Sequence, residues 1–198
     1  MEIVILFLGI LSGILQVVGY LAYYVPLYKG ESKPNIAVWA LWSFGTLVGF
    51  LSFKGMSDDW AKSILPLLCN LSCISIFLVA LYYGRYKPID QYEKRVGVIY
   101  VIAALVAIIT PTYGNLVQQL GTFVSFQPLI KSVRERKVIE RPQPWFIWTA
   151  AYTTLLVVCL LDLEKWEQLV YPINCLLLHG IIGVLSIEKE QRNAENNS

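Results

Sequence analysis

The chain has 198 residues, of which 56% are hydrophobic and 15% are charged, and its mean hydropathy is +0.56. A water-soluble domain has about a quarter of its residues charged, so this composition excludes one. The formal net charge of +2 gives no support for a nucleic-acid partner. The composition predicts an all-α integral membrane protein.

The charged residues occur in clusters that leave six charge-free segments, each long enough for a transmembrane helix. These segments are 3–28, 34–53, 63–84, 96–130, 142–161 and 168–187. The fourth segment contains the turn-forming residues Pro111 and Gly114, so it predicts two helices, at about 96–110 and 113–130. The N-terminus, "MEIVI", has neither the basic region nor the cleavage site of a signal peptide. The sequence therefore predicts seven transmembrane helices, and the first one begins at the N-terminus.

The lysines and arginines are distributed unequally between alternate loops. With seven helices, thirteen of the 16 lie on one side, and Lys54, Lys62 and Lys165 lie on the other. If 96–130 formed a single helix, the two sides would hold seven and nine. Because cytoplasmic loops carry the excess of positive charge, we expect an external N-terminus and a cytoplasmic C-terminus. The plasma or inner membrane is favoured over an organelle, and the basic loops are expected to attract anionic lipid weakly.

One short pattern occurs twice in the chain. The stretches "ILQVVGYLAYYVPLYK" at 14–29 and "LVQQLGTFVSFQPLIK" at 116–131 share Q-x-x-G-x-x-x-x-x-x-P-L-x-K, which aligns Gln16 with Gln118 and Pro26 with Pro128. Further along, "WALW" and "WFIW" match at a spacing of 106 residues. Two three-helix repeats joined by one odd helix enter the membrane in the same sense. The predicted units are 1–84 for the first repeat, 85–111 for a cytoplasmic loop and the linker helix, 112–187 for the second repeat, and 188–198 for a polar, disordered cytoplasmic tail.

A 3+1+3 arrangement with an external N-terminus and a proline–glutamine element late in the first helix of each repeat resembles the SWEET/PQ-loop superfamily of transporters. The likeness covers nearly the whole chain. The signature Pro-Gln dipeptide is reversed here as Gln127-Pro128, and in the first repeat it is replaced by Val25-Pro26. The superfamily contains sugar carriers, vitamin carriers, lysosomal amino-acid exporters and a retrieval-signal receptor, so the shared fold does not identify a substrate.

Gln16 and Gln118 are the best candidates for contact with a transported solute. Each lies 13 residues before a cytoplasmic lysine, which is about 20 Å along a helix and close to the middle of the bilayer. An amide at that depth needs a partner in another helix or in a hydrated cavity. One interpretation is an interhelical hydrogen bond worth about 1 kcal/mol. The other is a pair of amides that line one central path and bind the hydroxyls or amides of a substrate.

The tryptophans Trp42 and Trp148 lie one helical turn deeper than the tryptophans of the membrane interface. In the sugar carriers that the chain resembles, a tryptophan of the second helix and an asparagine of the third helix flank the substrate in each repeat. The resemblance therefore implies that Trp42 acts with Asn70, and Trp148 with Asn174. The asparagines are 104 residues apart rather than 106, which is a rotation of about 200° on a helix. We therefore do not expect both asparagines to face the central axis in the 106-residue register.

Three further residues inside the predicted helices are candidates for a role in transport. His179 is interpreted either as a hydrogen-bonded packing residue or as a residue that binds substrate or a proton. Pro26 and Pro128 each remove a backbone hydrogen bond near the cytoplasmic end of a helix. They are predicted to form a pair of hinges, with harmless kinks at the membrane exit as the alternative.

Four cysteines, Cys69, Cys73, Cys159 and Cys175, lie inside predicted helices. In the 106-residue register Cys73 aligns with His179, which gives two i, i+4 pairs with the residue types of a zinc site. Cysteine is also an ordinary small apolar residue of membrane helices, and this second interpretation is preferred, so we expect no metal site. The sequence contains no catalytic or cofactor-binding motif, and neither an enzyme nor a bound cofactor is expected.

The function predicted from the sequence is facilitative transport of a small neutral polar solute, sugar-like or vitamin- or nucleoside-like, by alternating access between the repeats. The absence of Asp, Glu, Lys and Arg from the middle of the predicted helices favours a neutral solute and passive movement. Two alternatives stay open: a non-transporting receptor or assembly protein of the PQ-loop fold, and a proton-coupled amino-acid exporter that uses His179. The expected partners are the solute and membrane lipid, and the sequence leaves a homo-oligomer open.

Overall fold

The computed structural model describes residues 1–29, 35–83, 89–135 and 140–195, with side chains up to residue 187. Seven α-helices and one 3-10 turn make up this part of the chain. They are α1 (Glu2–Tyr28), α2 (Ile36–Ser57), α3 (Trp60–Tyr83), α4 (Gln91–Ile109), α5 (Pro111–Arg134), α6 (Pro142–Leu161), the 3-10 turn (Trp166–Leu169) and α7 (Val170–Glu195). The prediction of an all-helical protein is confirmed.

The helix ends follow from local residue chemistry. The Asn35 side chain accepts a hydrogen bond from the Ala37 amide at the start of α2, and Asp90 forms a capping box with Glu93 at the start of α4. Pro111 occupies the first turn of α5, where the amide that proline lacks would have no helical partner. The predicted division of 96–130 into two helices is therefore confirmed, although α4 begins at residue 91 and α5 extends to residue 134.

The C-terminal segment differs from its prediction. The sequence predicts a disordered tail from residue 188, whereas α7 continues to Glu195. That prediction is wrong over 188–195, because this stretch, "EKEQRNAE", consists mainly of good helix formers, and polarity alone does not end a helix. Residues 196–198 lie outside the described residues.

Five helical segments are long and apolar enough to cross a membrane: α1, α2, α3, α6 and the combined segment Trp166–Ile187. Helix α4 falls short because Glu93, Lys94 and Arg95 follow its first residues. Helix α5 carries amides at Asn115, Gln118 and Gln119, and all three are buried against other helices. The chain thus has the composition and helices of a multi-pass membrane protein.

The helices pack in a defined order. Helix α1 contacts α3 and α6, helix α2 contacts α3, α4 and α5, and helix α7 contacts α5 and α6. Helices α4 and α5 form a tight antiparallel pair, in which a Cβ added at Gly114 would lie 2.4 Å from the Cα of Ala107. A Cβ added at Gly9 would similarly lie 2.4 Å from the carbonyl oxygen of Ala61, so α1 approaches α3 backbone to backbone. Small residues allow such approaches between membrane helices.

Candidate functional site

A buried ionic cluster lies at the end of the bundle where α2 meets α3 and α6 meets α7. Lys62, in the first turn of α3, is fully buried. Its ammonium nitrogen lies 2.8 Å from the carboxylate of Asp162 and also donates to the Asp162 backbone carbonyl at 2.5 Å. It lies 3.4 Å from the side-chain oxygen of Gln168 on the 3-10 turn. These contacts tie α3 to the α6–α7 connection at the end of the bundle that is predicted to face outwards.

A second cluster, polar but uncharged, lies deeper, between α1, α3 and α6. The hydroxyl of Tyr20 is hydrogen-bonded to Cys73 at 2.9 Å and contacts Cys69 at 3.6 Å. The hydroxyl of Tyr152 reaches the same Cys69 sulfur at 3.7 Å. Gln16 lies beside Cys69 and is 1% exposed, yet its side-chain oxygen has no hydrogen-bond partner among the described residues. This group, Gln16, Tyr20, Cys69, Cys73 and Tyr152, is called the thiol–hydroxyl cluster below.

The repeated glutamine Gln118 has different surroundings from Gln16. Its amide nitrogen donates to the Gly45 carbonyl of α2 and to the Thr122 hydroxyl, both at 3.0 Å. Its side-chain oxygen accepts from the amide of Gln119 at 2.5 Å. Gln118 is therefore fully hydrogen-bonded inside the protein and joins α5 to α2. Of the two interpretations of the glutamine pair, this geometry favours the interhelical bond for Gln118 and leaves Gln16 as the amide with an open acceptor.

The two candidate asparagines bind different helices. Asn70 donates to the Ser43 carbonyl at 2.9 Å and to the Thr46 hydroxyl at 3.1 Å, which joins α3 to α2. Asn174 donates to the backbone and side-chain oxygens of Gln119 at 3.0 and 2.9 Å, which joins α7 to α5. The two asparagines thus occupy non-equivalent positions, as their 104-residue spacing indicates. Asn174 also borders an open groove of about 550 Å³ between α5 and α7, whose other walls are mainly apolar.

His179 and Trp148 lie at the inner edge of the thiol–hydroxyl cluster. The Nε1 atom of Trp148 donates to the backbone carbonyl of Gln16 at 3.2 Å, and its ring lies 4.8 Å from that of Tyr20. The Nδ1 atom of His179 lies 2.7 Å from the Cys175 carbonyl of the preceding turn. Because a carbonyl accepts, Nδ1 carries the proton of the neutral ring. The structure thus brings together Gln16, Trp148 and His179 but holds Gln118 and both asparagines in separate contacts.

Six aromatic side chains form a closed circle towards the predicted cytoplasmic end. In order around the circle they are Tyr23, Trp39, Trp42, Phe126, Trp145 and Trp148, and we call this group the aromatic collar. Neighbouring ring centroids are 5.7, 5.0, 5.8, 6.3, 5.1 and 5.8 Å apart around the circle. Three members come from α1 and α2, and three come from α5 and α6. The sequence singled out Trp42 and Trp148, but Tyr23 and Phe126 were missed because nothing in their local pattern separates them from lipid-facing aromatics.

The collar is bordered by one carboxylate that was also missed. Glu140 immediately precedes α6, and its Oε2 atom accepts a hydrogen bond from Nε1 of Trp145 at 3.2 Å. Tyr23 of α1 lies close enough to interact with it electrostatically. Burial raises the pKa of Glu140 to about 7, and the bond from Trp145 offsets only part of that rise. Its position five residues before Trp145 of the "WFIW" motif was the available signal, but Glu140 falls in a loop whose charges are mainly basic.

The two prolines lie within helices that continue past them. Pro26 is inside α1, which ends at Tyr28, and Pro128 is inside α5, which ends at Arg134. The role of Pro26 and Pro128 as hinges stays a prediction, because a single structure does not test movement at these positions. Among the described residues, no group of three or more His, Cys, Asp or Glu side chains has the arrangement of a metal site. The four cysteines are buried and free.

The helices and the buried polar clusters define the class of this chain as a multi-pass helical membrane protein with a polar interior between α1, α3, α6 and α7. No family model, curated protein or solved structure matches the chain. The resemblance to the SWEET/PQ-loop superfamily therefore stays a prediction, and the function has to be argued from the site itself.

Proposed function

We propose that this protein is a facilitative carrier of a small neutral polar solute, and that it works by alternating access between two parallel three-helix repeats joined by α4. The packing order supports the repeats. Exchanging α1, α2 and α3 with α5, α6 and α7 converts the α1–α6 contact into the α5–α2 contact, and both are present. The same exchange converts α1–α3 into α5–α7 and α2–α3 into α6–α7, and all four of these contacts are present.

A direct contact between equivalent residues also supports the twofold arrangement. Lys62 and Gln168 are 106 residues apart, which is the spacing of the matched tryptophans. Their side chains touch, with 3.4 Å between the lysine nitrogen and the glutamine oxygen. Residues related by a twofold axis come into contact only when they lie near that axis. The axis of the proposed repeats would therefore pass close to the Lys62 cluster, along the membrane normal.

The unsatisfied side-chain oxygen of Gln16 is the observation that carries the proposal. A buried amide oxygen without a partner has lost its hydration, a penalty of about 1–3 kcal/mol. The Gln16 side chain lies beside the Cys69 thiol, which in turn contacts the hydroxyls of Tyr20 and Tyr152, and all of these groups are uncharged and can donate or accept. A solute with hydroxyl or amide donors would complete this arrangement. Because the cluster contains no carboxylate or ammonium group, it suits a neutral solute.

Alternating access requires an occluded state in which both ends of the solute path are closed. In the proposed carrier, the Lys62–Asp162 pair would close one end of that path and the aromatic collar would narrow the other. In the proposed orientation the N-terminus is external and the ionic closure faces outwards. The proton-coupled alternative has less support because Nδ1 of His179 already donates to its own helix and four aromatic rings surround the imidazole.

A liposome flux screen tests this proposal. Purified full-length protein is reconstituted and assayed with labelled neutral sugars, nucleosides and amino acids, with and without a pH gradient. We expect saturable flux of at least one solute class that does not require the gradient, and loss of most of that flux in Gln16→Leu. Absence of flux for every class with protein that is folded and inserted would refute the carrier proposal. Flux that depends on the gradient and disappears in His179→Gln would favour the proton-coupled exporter instead.

A further inference from the structure

The glycine of the repeated Q-x-x-G motif makes room for an aromatic ring in both repeats, but the two rings come from different kinds of helix. A Cβ added at Gly19 of α1 would lie 2.4 Å from Nε1 of Trp148, so the indole of α6 packs directly on this glycine. A Cβ added at the equivalent Gly121 of α5 would lie 2.6 Å from the ring of Tyr100. Tyr100 belongs to α4, which is the linker between the proposed repeats.

Tyr100 covers the same surface of α5 that the α6 indole covers on α1. Beyond Gly121, the hydroxyl of Tyr100 lies beside Thr122 and donates to Ser125 at 3.4 Å. The 102-residue spacing of the motif makes Thr122 and Ser125 equivalent to Tyr20 and Tyr23. The rings of those two tyrosines lie 4.8 and 5.8 Å from the α6 indole. We call the surface formed by Gly121, Thr122 and Ser125 the α5 slot.

Trp42 is the residue that the twofold arrangement would place in the α5 slot. It is equivalent to Trp148, whose Nε1 atom donates to the Gln16 carbonyl at 3.2 Å. The corresponding acceptor for Trp42 is the Gln118 carbonyl, but no hydrogen bond of the described residues joins the Trp42 indole to it. The Trp42 ring stacks instead on Phe126, with 5.8 Å between the centroids.

A glycine on α2 allows Tyr100 to reach the slot. A Cβ added at Gly45 would lie 2.4 Å from Cζ of Tyr100, so any other residue there would displace the ring. The equivalent residue of α6 is Ala151, and α6 packs directly on α1 at this level. The linker helix therefore inserts a ring between α2 and α5, and the two contacts that should be equivalent by the twofold axis are in different arrangements.

We propose that Tyr100 is a positioning residue of the transport cycle, and that Tyr100 and Trp42 occupy the α5 slot alternately. The inference rests on the proposed carrier function, because alternating access needs an element with two discrete arrangements. In the arrangement of this structure, Tyr100 fills the slot and Trp42 completes the aromatic collar by its stack on Phe126.

The second arrangement is already shown by the other repeat. Trp148 occupies its own slot, and in the described ranges it makes no ring contact with Tyr24, the equivalent of Phe126. With Trp42 in the α5 slot, its N–H would donate to the Gln118 carbonyl, and the collar would open between Trp42 and Phe126. Tyr100 would thus hold the cytoplasmic end of the path narrow while it occupies the slot, and release it on leaving.

The indole N–H of Trp42 reports this exchange of rings directly. Hydrogen exchange of the six tryptophan indoles is measured by NMR on full-length, tryptophan-labelled protein in nanodiscs, with the Trp42 signal assigned by Trp42→Phe. Tyr100→Ala empties the slot, so Trp42 should enter it and bond to the Gln118 carbonyl. We expect its N–H to exchange about fivefold more slowly, the effect of one net hydrogen bond. An empty cavity that Trp42 does not enter would leave the exchange rate unchanged or raise it, and either result would overturn the inference.

Three variants separate the slot from general damage to the bundle. Tyr100→Phe keeps the ring in the slot, so the exchange rate of Trp42 should stay within about twofold of the parent. Adding Gly121→Ala to Tyr100→Ala places a methyl group where the indole would lie, and should abolish the slowing. Tyr92→Ala removes the other tyrosine of α4, which donates to the Val124 carbonyl outside the slot, and serves as the matched control. Slowing in Tyr92→Ala, or slowing that survives Gly121→Ala, would contradict the proposal.

The outcome for Tyr100 can be distinguished from the outcome for the carrier function. If Tyr100→Ala does not fold, Tyr100→Leu replaces it, because leucine keeps apolar contact with α2 and α5 but is too short to reach Ser125. Slowed exchange of Trp42 in a protein that carries no solute would refute the carrier and leave the two-state slot standing. Solute flux with an unchanged exchange rate would refute the slot and leave the carrier standing. Slowed exchange together with a lower maximal flux, at an unchanged half-saturation concentration, would support both.

Discussion

Replacing Gln118 by leucine removes three hydrogen bonds that lie entirely inside the protein. The bond to the Gly45 carbonyl joins two helices, and such bonds contribute about 1 kcal/mol in membrane proteins. The loss of the side-chain oxygen also leaves the amide nitrogen of Gln119 buried without its acceptor, at a cost of about 1–3 kcal/mol. The expected destabilisation is about 2–4 kcal/mol, which lowers Tm by about 4–16 °C for a chain of this size.

The same substitution at Gln16 has the opposite expectation. Its side-chain oxygen makes no hydrogen bond within the described residues, so leucine removes an unsatisfied acceptor. We expect Tm to stay constant or to rise by about 2–4 °C, while flux of the carried solute falls about tenfold through loss of one hydrogen bond to it. Gln118→Leu should keep its flux per folded molecule. Gln127→Leu serves as the surface control because, among the described residues, its amide bonds to a carbonyl of its own helix.

The assay measures Tm and liposome flux on the same preparation of each variant, with flux normalised to folded, inserted protein. The reasoning predicts a crossed pattern, in which Gln118→Leu changes stability and Gln16→Leu changes transport. If both variants lose Tm equally, the unsatisfied acceptor of Gln16 has a partner that the structure does not show. If Gln118→Leu loses flux at unchanged Tm, then Gln118 binds the solute and the interhelical interpretation is wrong.

Three further predictions concern topology, the outer closure and pH. Tags at Arg134 and the C-terminus should be cytoplasmic and a tag at Asp58 external; accessibility of Asp58 and Arg134 from one side would refute the parallel repeats. Lys62→Met should lower the free energy of opening at the proposed outer end by about 1–3 kcal/mol. The loss is modest because the Asp162 carboxylate, the partner of Lys62, is partly exposed to water. The expected readout is faster labelling of Cys159 by an impermeant maleimide, measured by peptide mass spectrometry, and an unchanged rate would contradict the closure. Burial raises the pKa of Glu140 from 4.5 to about 7, so between these pH values the folded protein holds a proton that the unfolded protein has lost. The free energy of unfolding should therefore fall, by at most about 3 kcal/mol, as pH rises from 4.5 to 7. A Glu140→Gln variant should lack this slope in thermal unfolding, and an equal slope in both proteins would refute it.

Much of the fold could be predicted because its signals are local. Clustered charges mark the loops, and Pro111 marks the break between α4 and α5, where a helical amide would be missing in any context. The C-terminal end of α7 was not predictable from charge, since charge removes a segment from the membrane without ending its helix.

The site was less predictable because its parts meet only after folding. Trp42 and Trp148 could be found from the repeat, but the collar also needs Tyr23 and Phe126, which come from different helices and match no motif. Lys62 was counted as an ordinary loop charge. Its burial depends on Asp162, one hundred residues later, and no local pattern contains both.

The difference between Gln16 and Gln118 shows where a repeated motif stops being informative. The motif fixes the glutamine in both repeats but not the residues one and four positions later. After Gln118 these are Gln119, which donates to its side-chain oxygen, and Thr122, which accepts from its amide nitrogen. After Gln16 they are Val17 and Tyr20.

Valine offers no hydrogen bond, and the Tyr20 hydroxyl is engaged with the thiols of α3, so Gln16 is left with an open oxygen. In the proposed carrier, Gln118 of the second repeat holds α5 against α2, while Gln16 of the first repeat is left to bind a ligand. A twofold scaffold with a one-sided site binds a solute in a single orientation. This asymmetry could have been found in the sequence by comparing the neighbours of the matched residues rather than the matched residues themselves.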